Sequence, residues 1–287
     1  MPAITIRPLE SHQDFADLED LQRVIWPGND LTVIPSHFLS SATQNGAVAV
    51  GAFDGERLVG FAFGILGTDG RESNRPALAR LKCYSHQLGV HPEYRSHGVG
   101  RQLKLAQRQW AVDLGIRLIT WTYDPLESRN AHLNLSLLGC VCQTYKTDYY
   151  GEIEDGLNWG LPTDRFVVDW WITSNRVQQR TERTRPAVSE AQLLLTGAAR
   201  VNPVTRDEAG WVVPPAEPVW PEGALALVEI PSDFQTLKKQ DLALARRWRM
   251  HTREVFLGLF AAGWLVTDFV HERGDYPRSM YLLAQSE

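Results

Sequence analysis

Leu88-Gly-Val-His-Pro-Glu-Tyr-Arg-Ser-His-Gly-Val-Gly-Arg-Gln-Leu103 is the stretch on which the fold turns. An apolar strand over Cys83 to Val90 runs into a glycine-containing turn. A long helix over Gly98 to Leu114 follows, with Gly115 at its end. The first-turn N–H groups of a helix lack internal partners and carry partial positive charge. Gly98 and Gly100 let the backbone approach a phosphate with no Cβ in the way. The segment Arg95-Ser96-His97-Gly98-Val99-Gly100 therefore predicts a pyrophosphate cradle. Two commoner phosphate loops fit worse. No Gly-Lys-Ser/Thr is present, so this is not a P-loop. The first glycine of G-x-G-x-x-G is missing, and no ribose-binding acid follows at the proper place. The plain alternative is an ordinary glycine-rich helix start.

Working outward, Ala3 to Arg7 alternates as a first strand, and residues 12 to 26 place Phe15, Leu18, Leu21, Val24 and Ile25 at amphipathic helical spacing. A second short helix begins at Pro35 and ends near Gly46. Ala47 to Phe53 and Leu58 to Leu66 are strands joined by Asp54-Gly55, a hairpin signal. Leu118 to Thr122 is a short buried strand. A helix over Asn130 to Leu138 and strands over Val141 to Tyr150 and Arg165 to Ile172 complete a mixed α/β unit over residues 1–173. Residues 174–222 change character, with Arg176, Arg180, Arg183 and Arg185 followed by scattered prolines. They read as an irregular linker or wrapping arm. The arginine run could attract an anion, but a solvated face is the simpler reading. Residues 223–287 read as strand, helix and hairpin. At about 65 residues this piece is marginal as an independent core, so it is expected to dock on the first domain.

The composition narrows the function classes. The 287 residues are 44% hydrophobic and 22% charged, which is ordinary for a globular chain. A net charge of −5 gives no global basic field for nucleic acid. Cys83, Cys140 and Cys142 form no CxxC pair, so no metal is expected and buried free thiols are the better reading. The N-terminus has no apolar signal-peptide core, and no stretch reaches the roughly 18 apolar residues of a membrane span. A cytoplasmic setting is the default expectation.

The turn matches R/Q-x-x-G-x-G/A, and the element order around it resembles the GNAT superfamily of N-acyltransferases. Further stretches, among them Leu103-Lys-Leu-Ala-Gln-Arg, Ile119-Thr-Trp-Thr-Tyr-Asp-Pro-Leu and Gly160-Leu-Pro-Thr-Asp-Arg-Phe, resemble a predicted acetyltransferase subfamily with a C-terminal extension. Some of its members are linked to N-succinylamino acid metabolism. The resemblance implies a GNAT-like mixed central sheet flanked by helices, plus a C-terminal strand-helix-hairpin half-domain. It implies acetyl-CoA or succinyl-CoA as co-substrate and a small amino acid-like amine as acceptor. Neither nucleic acid nor membrane is implied as a partner, and a homodimer is left open. A protein amine as acceptor is the runner-up, and a non-catalytic acyl-CoA sensor is the reading from a different class.

By the same resemblance, acyl-CoA would be held by Leu88, Gly89, Val90, Arg95, Ser96, His97, Gly98, Val99, Gly100 and Arg101, with Asn130 as a further contact. Leu88 and Val90 would pair with the pantetheine arm, and an amide near Leu88 would polarise the thioester carbonyl. Many GNAT enzymes carry a tyrosine acid four residues before the glycine that closes the last motif helix. Here that glycine is Gly139 and the position is Leu135, a departure from the pattern. Tyr145 and Tyr149, with Tyr150, lie just downstream as replacements. His86, two residues before Leu88, is the candidate base, with a core histidine as the alternative. Asp124 is a second base or an amine anchor, although Pro125 makes a turn role equally plausible. Asn130 could instead cap its helix. Arg165 could hold a substrate carboxylate or pair with Asp164. Trp26 and Trp121, with Trp159, Trp170 and Trp171, line an acceptor pocket or belong to the core.

Overall fold

Ser11 sets the first helix. Its side chain accepts from the Asp14 amide while the Asp14 carboxylate answers the Ser11 amide, a reciprocal cap. The computed structural model describes residues 3–28, 30–151 and 159–285. These fall into two units, the first holding the chain to Trp121 together with Trp171–Ser174 and the second the remainder. The expected boundary near residue 173 is not where this division falls.

In the first unit, β1 (Ile4–Pro8), α1 (His12–Ile25), α2 (Ser36–Gln44), β2 (Val48–Asp54), β3 (Arg57–Thr68), β4 (Leu81–Val90), α3 (Val99–Asp113) and β5 (Leu118–Tyr123) follow in order. The strands lie β1-β2-β3-β4-β5. All neighbours are antiparallel except β4 and β5, so the sheet is mixed. Phe15, Leu18, Leu21 and Ile25 of α1 pack with Phe53, Leu58, Phe61 and Phe63 of the hairpin. Removing a side chain such as Leu18, fully buried here, would cost about 2–5 kcal/mol. Gly55 takes a left-handed φ of +59° in the expected hairpin turn.

In the second unit, α4 (Ser128–Ala131) continues as a π-helical turn over His132–Leu137. Then come β6 (Val141–Lys146), β7 (Arg165–Trp171), α5 (Asn175–Thr181), α6 (Glu190–Leu195) and the two-residue strands β8 (Ala199–Arg200), β9 (Thr205–Arg206) and β10 (Val212–Val213). The last elements are β11 (Leu225–Ile230), α7 (Phe234–Gln240), α8 (Leu242–Ala261), β12 (Trp264–Glu272) and β13 (Arg278–Gln285). The strands run β7-β6-β12-β13-β11-β8, while β9 and β10 pair separately. Because Val266 of β12 pairs with Cys142 of β6, residues 223–287 are built into one sheet with β6 and β7. Phe166, Phe256 and Tyr281 form an aromatic centre with ring centroids 4.7–5.5 Å apart.

The segment 174–222 is more ordered than expected. Ser189 and Gln192 form a second reciprocal cap on α6, and β8 pairs in parallel with β11. Trp220 lies against Gly258 of α8, where an added Cβ would come within 2.4 Å of the indole. All three cysteines are free and buried, as their pattern suggests.

Candidate functional site

The strand before the glycine turn is opened on one side. β4 pairs with β5 only at Cys83↔Ile119 and Tyr84↔Thr120. From Ser85 to Val90 its ladder continues with β3 alone, through Ala62↔Leu88 and Gly60↔Val90. The β3 register shifts between Phe63↔Gln87 and Gly64↔Ser85, which leaves His86 as the extra residue of a bulge. Backbone groups of Leu88 and Val90 thus lie on a strand that has lost its β5 partner. The bulge also breaks strict alternation, so spacing alone does not put His86 and Leu88 on one face. The His86 ring sits edge-on to Phe63 and tilted over Tyr84. Partial burial lowers its pKa below the ordinary histidine value of 6.5.

The turn is held from behind. The His91 amide donates to the Val59 carbonyl at 2.8 Å. The Tyr94 hydroxyl donates to Asp54 Oδ2 at 2.6 Å, and Arg95 Nε donates to the Val90 carbonyl at 3.2 Å. Ser96 and Gly98 both adopt left-handed φ, +66° and +80°. Gly98 is the N-cap of α3, and no side chain caps that helix. A Cβ at Gly98 would meet nothing within 4 Å, so space lies in front of the first helical turn. A helix start that no side chain caps, its dipole and the open space at Gly98 suit an anionic pyrophosphate. Ser96, His97 and Gly98 are exposed, whereas Val99 is buried and anchors the helix start.

Residues 15–134 match the acetyltransferase (GNAT) family. The GNAT fold, a mixed sheet flanked by helices, is the fold of this segment. Among solved structures, the ribosomal-protein-S18-alanine N-acetyltransferase of Escherichia coli is 14% identical. It covers 60% of this chain and 96% of its own, with a TM-score of 0.46. NAA60 of Arabidopsis thaliana, solved with acetyl-CoA, is 17% identical over 59% of this chain and 99% of its own, with a TM-score of 0.45. Among curated proteins nothing matches.

The matched segment contains a polar cluster that the sequence reading missed. Lys104 of α3 is fully buried. It donates to Ser85 Oγ at 2.6 Å and to Gln107 Oε1 at 3.2 Å, and lies 3.6 Å from the centroid of the Trp121 ring. Ser85 precedes the bulge, so this lysine anchors β4 at the point where the strand opens. Helical spacing held the signal, since Lys104, Gln107 and Ala111 share a buried face with Leu103. Trp121 is itself buried beneath that ammonium and is a packing residue rather than an open pocket wall. Trp26 is half-buried against Phe61, with its ring beside Gly89. Gly89 is needed there, because a Cβ would come within 2.7 Å of Ile25 and 2.9 Å of Phe61.

In the second unit, several candidates have structural partners. Asp124 accepts from the Leu126 amide at 2.9 Å, and both its oxygens are bound by the buried guanidinium of Arg249. With both oxygens occupied in this way, Asp124 is corrected to an ion-pair anchor and turn residue. Tyr145 is buried and donates to Asp164 at 2.7 Å. Burial pushes its pKa far above the tyrosine value, with the nearby Asp164 adding to the rise and Arg249 opposing it. It is therefore corrected to a core residue, ill suited to protonate a thiolate. Tyr149 is exposed and stacks edge-on against Tyr150 at 4.7 Å. Arg165 does not form the expected surface pair with Asp164, whose carboxylate is taken by Arg253 and Tyr145. Instead Arg165 is buried and donates to the Asp164 carbonyl, with its guanidinium 5.2 Å from the centroid of Tyr150. Glu127, not Asn130, is the N-cap residue of α4, so Asn130 sits inside the helix and is exposed. Leu135 is fully buried. Trp170 is core, its indole donating to the Leu138 carbonyl, whereas Trp159 and Trp171 are exposed. Among the described residues no cluster of metal ligands forms, and no helix is long and apolar enough to cross a membrane.

Proposed function

We propose that the chain is an acyl-CoA-dependent N-acyltransferase that moves an acetyl or succinyl group to a primary amine of a small amino acid-like acceptor. One observation carries this reading: a strand edge freed of its partner leads directly into an uncapped helix N-terminus. The first feature suits a pantetheine arm and the second a pyrophosphate, in the order that the CoA molecule presents them. The match of residues 15–134 to the acetyltransferase (GNAT) family supports it.

In this reading the first-turn N–H groups after Gly98 receive the pyrophosphate, and backbone groups of Leu88 and Val90 bind the pantetheine amides. An amide near Leu88 stabilises the oxyanion that forms when the amine attacks the thioester carbonyl. The attacking nitrogen must be neutral and must shed a proton. His86, held mostly neutral at pH 7 by its lowered pKa, accepts that proton directly or through water. The C–S bond then breaks and the electron pair leaves on CoA sulfur. A free thiol has a pKa near 8.5, so the thiolate leaves without obligatory acid catalysis. Tyr149, with Tyr150, remains the tyrosine candidate for that proton. Arg165 is the candidate holder of an acceptor carboxylate.

The second reading is a non-catalytic acyl-CoA sensor, favoured by one observation, the buried Leu135 at the position of the usual tyrosine. Calorimetric titration with CoA, acetyl-CoA and succinyl-CoA, followed by an amine screen with the tightest thioester, separates the readings. Thioester binding without turnover on any amine supports the sensor. Absence of binding to all three removes both.

A further inference from the structure

Arg176 and Arg180 do not form the solvated face expected of the arginine run, whereas Arg183 is exposed and Arg185 partly so. Arg180 is nine-tenths buried, donates to the Ser136 carbonyl at 3.2 Å and pairs with Asp268. Arg176 donates to the Gly139 carbonyl at 3.0 Å. These contacts satisfy carbonyls at the end of the π-helical turn, a structural task. They do not use up the cluster. Arg180 Nε and Arg176 Nη2 are buried donors without an acceptor. Such orphaned donors are rare in folded proteins. Asp268 has already been claimed by Arg180, with Arg185 3.4 Å away. Burial, and then the neighbouring Arg180, hold the Arg176 pKa down to about 10.

Arg183 supplies the second observation. It closes α5 with φ +57°, its amide bonding to the Arg180 carbonyl and the Thr184 amide to the Gln179 carbonyl. That is a Schellman ending, in which the left-handed position usually belongs to glycine. An arginine stands there at a conformational cost. Its guanidinium has no partner among the described residues and lines a cleft of about 420 Å³. Arg180, Arg185 and Gln192 line the same cleft, while Val188, Phe269 and Val270 give it an apolar wall. Asp268 and Glu272 are its acidic members, and Glu272 already accepts from the Glu190 amide.

We propose that this cleft binds a small organic anion, with a carboxylate or phosphate head on Arg180, Arg183 and Arg185 and an apolar body against Val188, Phe269 and Val270. None of the residues assigned to acyl transfer takes part. An oxyanion with several lone pairs supplies the acceptors that the Arg183 guanidinium lacks, beside the positive charge of Arg180 and Arg185. The site forms on a chain of net charge −5, so its positive balance is local.

The test is calorimetry and thermal unfolding of the full chain with inorganic phosphate, succinate and hexanoate. Saturable binding and a rise in Tm on the order of 5 °C at one hundred times Kd are expected for hexanoate. Arg183→Gly relieves the left-handed strain, so its unliganded Tm should equal or exceed the parent value while affinity falls at least tenfold. Arg185→Gln should weaken binding in the same direction. Binding of phosphate but not hexanoate overturns the apolar half of the proposal. Absence of binding to all three anions, or an Arg183→Gly variant that binds like the parent, overturns the whole.

Discussion

The Lys104 ammonium sits 3.6 Å from the centroid of the Trp121 ring while it donates to Ser85. A charge on an aromatic face is worth up to about 2 kcal/mol when desolvated, and this with the hydrogen bonds to Ser85 and Gln107, about 1.5–3 kcal/mol each, offsets the several kcal/mol that burying an ammonium costs. The net effect on stability is therefore small, and the specific effect falls on Ser85 and the bulge beside it. Lys104→Met should leave Tm within a few degrees of the parent and weaken CoA binding several-fold. Unchanged affinity in calorimetry would reduce the lysine to packing.

Gly98 occupies a left-handed position that costs an L-residue about 1–2 kcal/mol. Gly98→Ala should lower Tm by roughly 2–4 °C per kcal/mol lost, and CoA affinity should fall at least tenfold because the Cβ projects toward the phosphates. Gly98→Glu adds like charge and should abolish binding. If both variants bind CoA as the parent does, the cradle has been placed wrongly.

His86 acts, in the proposed reaction, in its neutral form. Activity should therefore rise with pH through its pKa, and because burial lowers that pKa the midpoint should fall below 6.5. His86→Ala should reduce kcat by about 10²–10⁴, remove this acid limb from the pH–rate profile and leave the Kd for CoA unchanged. A variant with the parent's pH profile would exclude His86 as the base.

Asp124 and Arg249 are predicted to act on stability rather than chemistry. Removing one partner of a buried pair leaves the other uncompensated, at roughly 3–5 kcal/mol. Urea unfolding of Asp124→Ala and Arg249→Met should each show a loss of that size. The double variant should lose much less than the sum. Full stability in Asp124→Ala with activity lost would return Asp124 to the reacting groups.

The strand, turn and long helix around Gly98 were legible because their signals are local: an apolar run, two glycines and helical spacing. The Ser11 cap is as local, complete within four residues, but it went unread because only the apolar spacing of residues 12 to 26 was used. The corrected assignments rest on distant partners. Arg249 reaches Asp124 across 125 positions, and Arg253 reaches Asp164 across 89. No spacing rule shows such pairs. Residues 174–222 looked irregular because β8 is only two residues long and is held by β11 rather than by its own propensity. The His86 bulge was invisible for a related reason, since it exists only in the register of β4 against β3.

The burial of Cys83, Cys140 and Cys142 has a practical side. Burial pushes the Cys83 pKa up to about 12 and raises that of Cys142 as well, so neither forms the thiolate that attacks electrophiles at neutral pH. A chromogenic disulfide added to the folded protein should find almost nothing to react with. Any CoA released by turnover would be the reactive sulfhydryl in the cuvette, giving a continuous assay with a flat baseline, and a sudden burst of colour without acceptor would report unfolding instead.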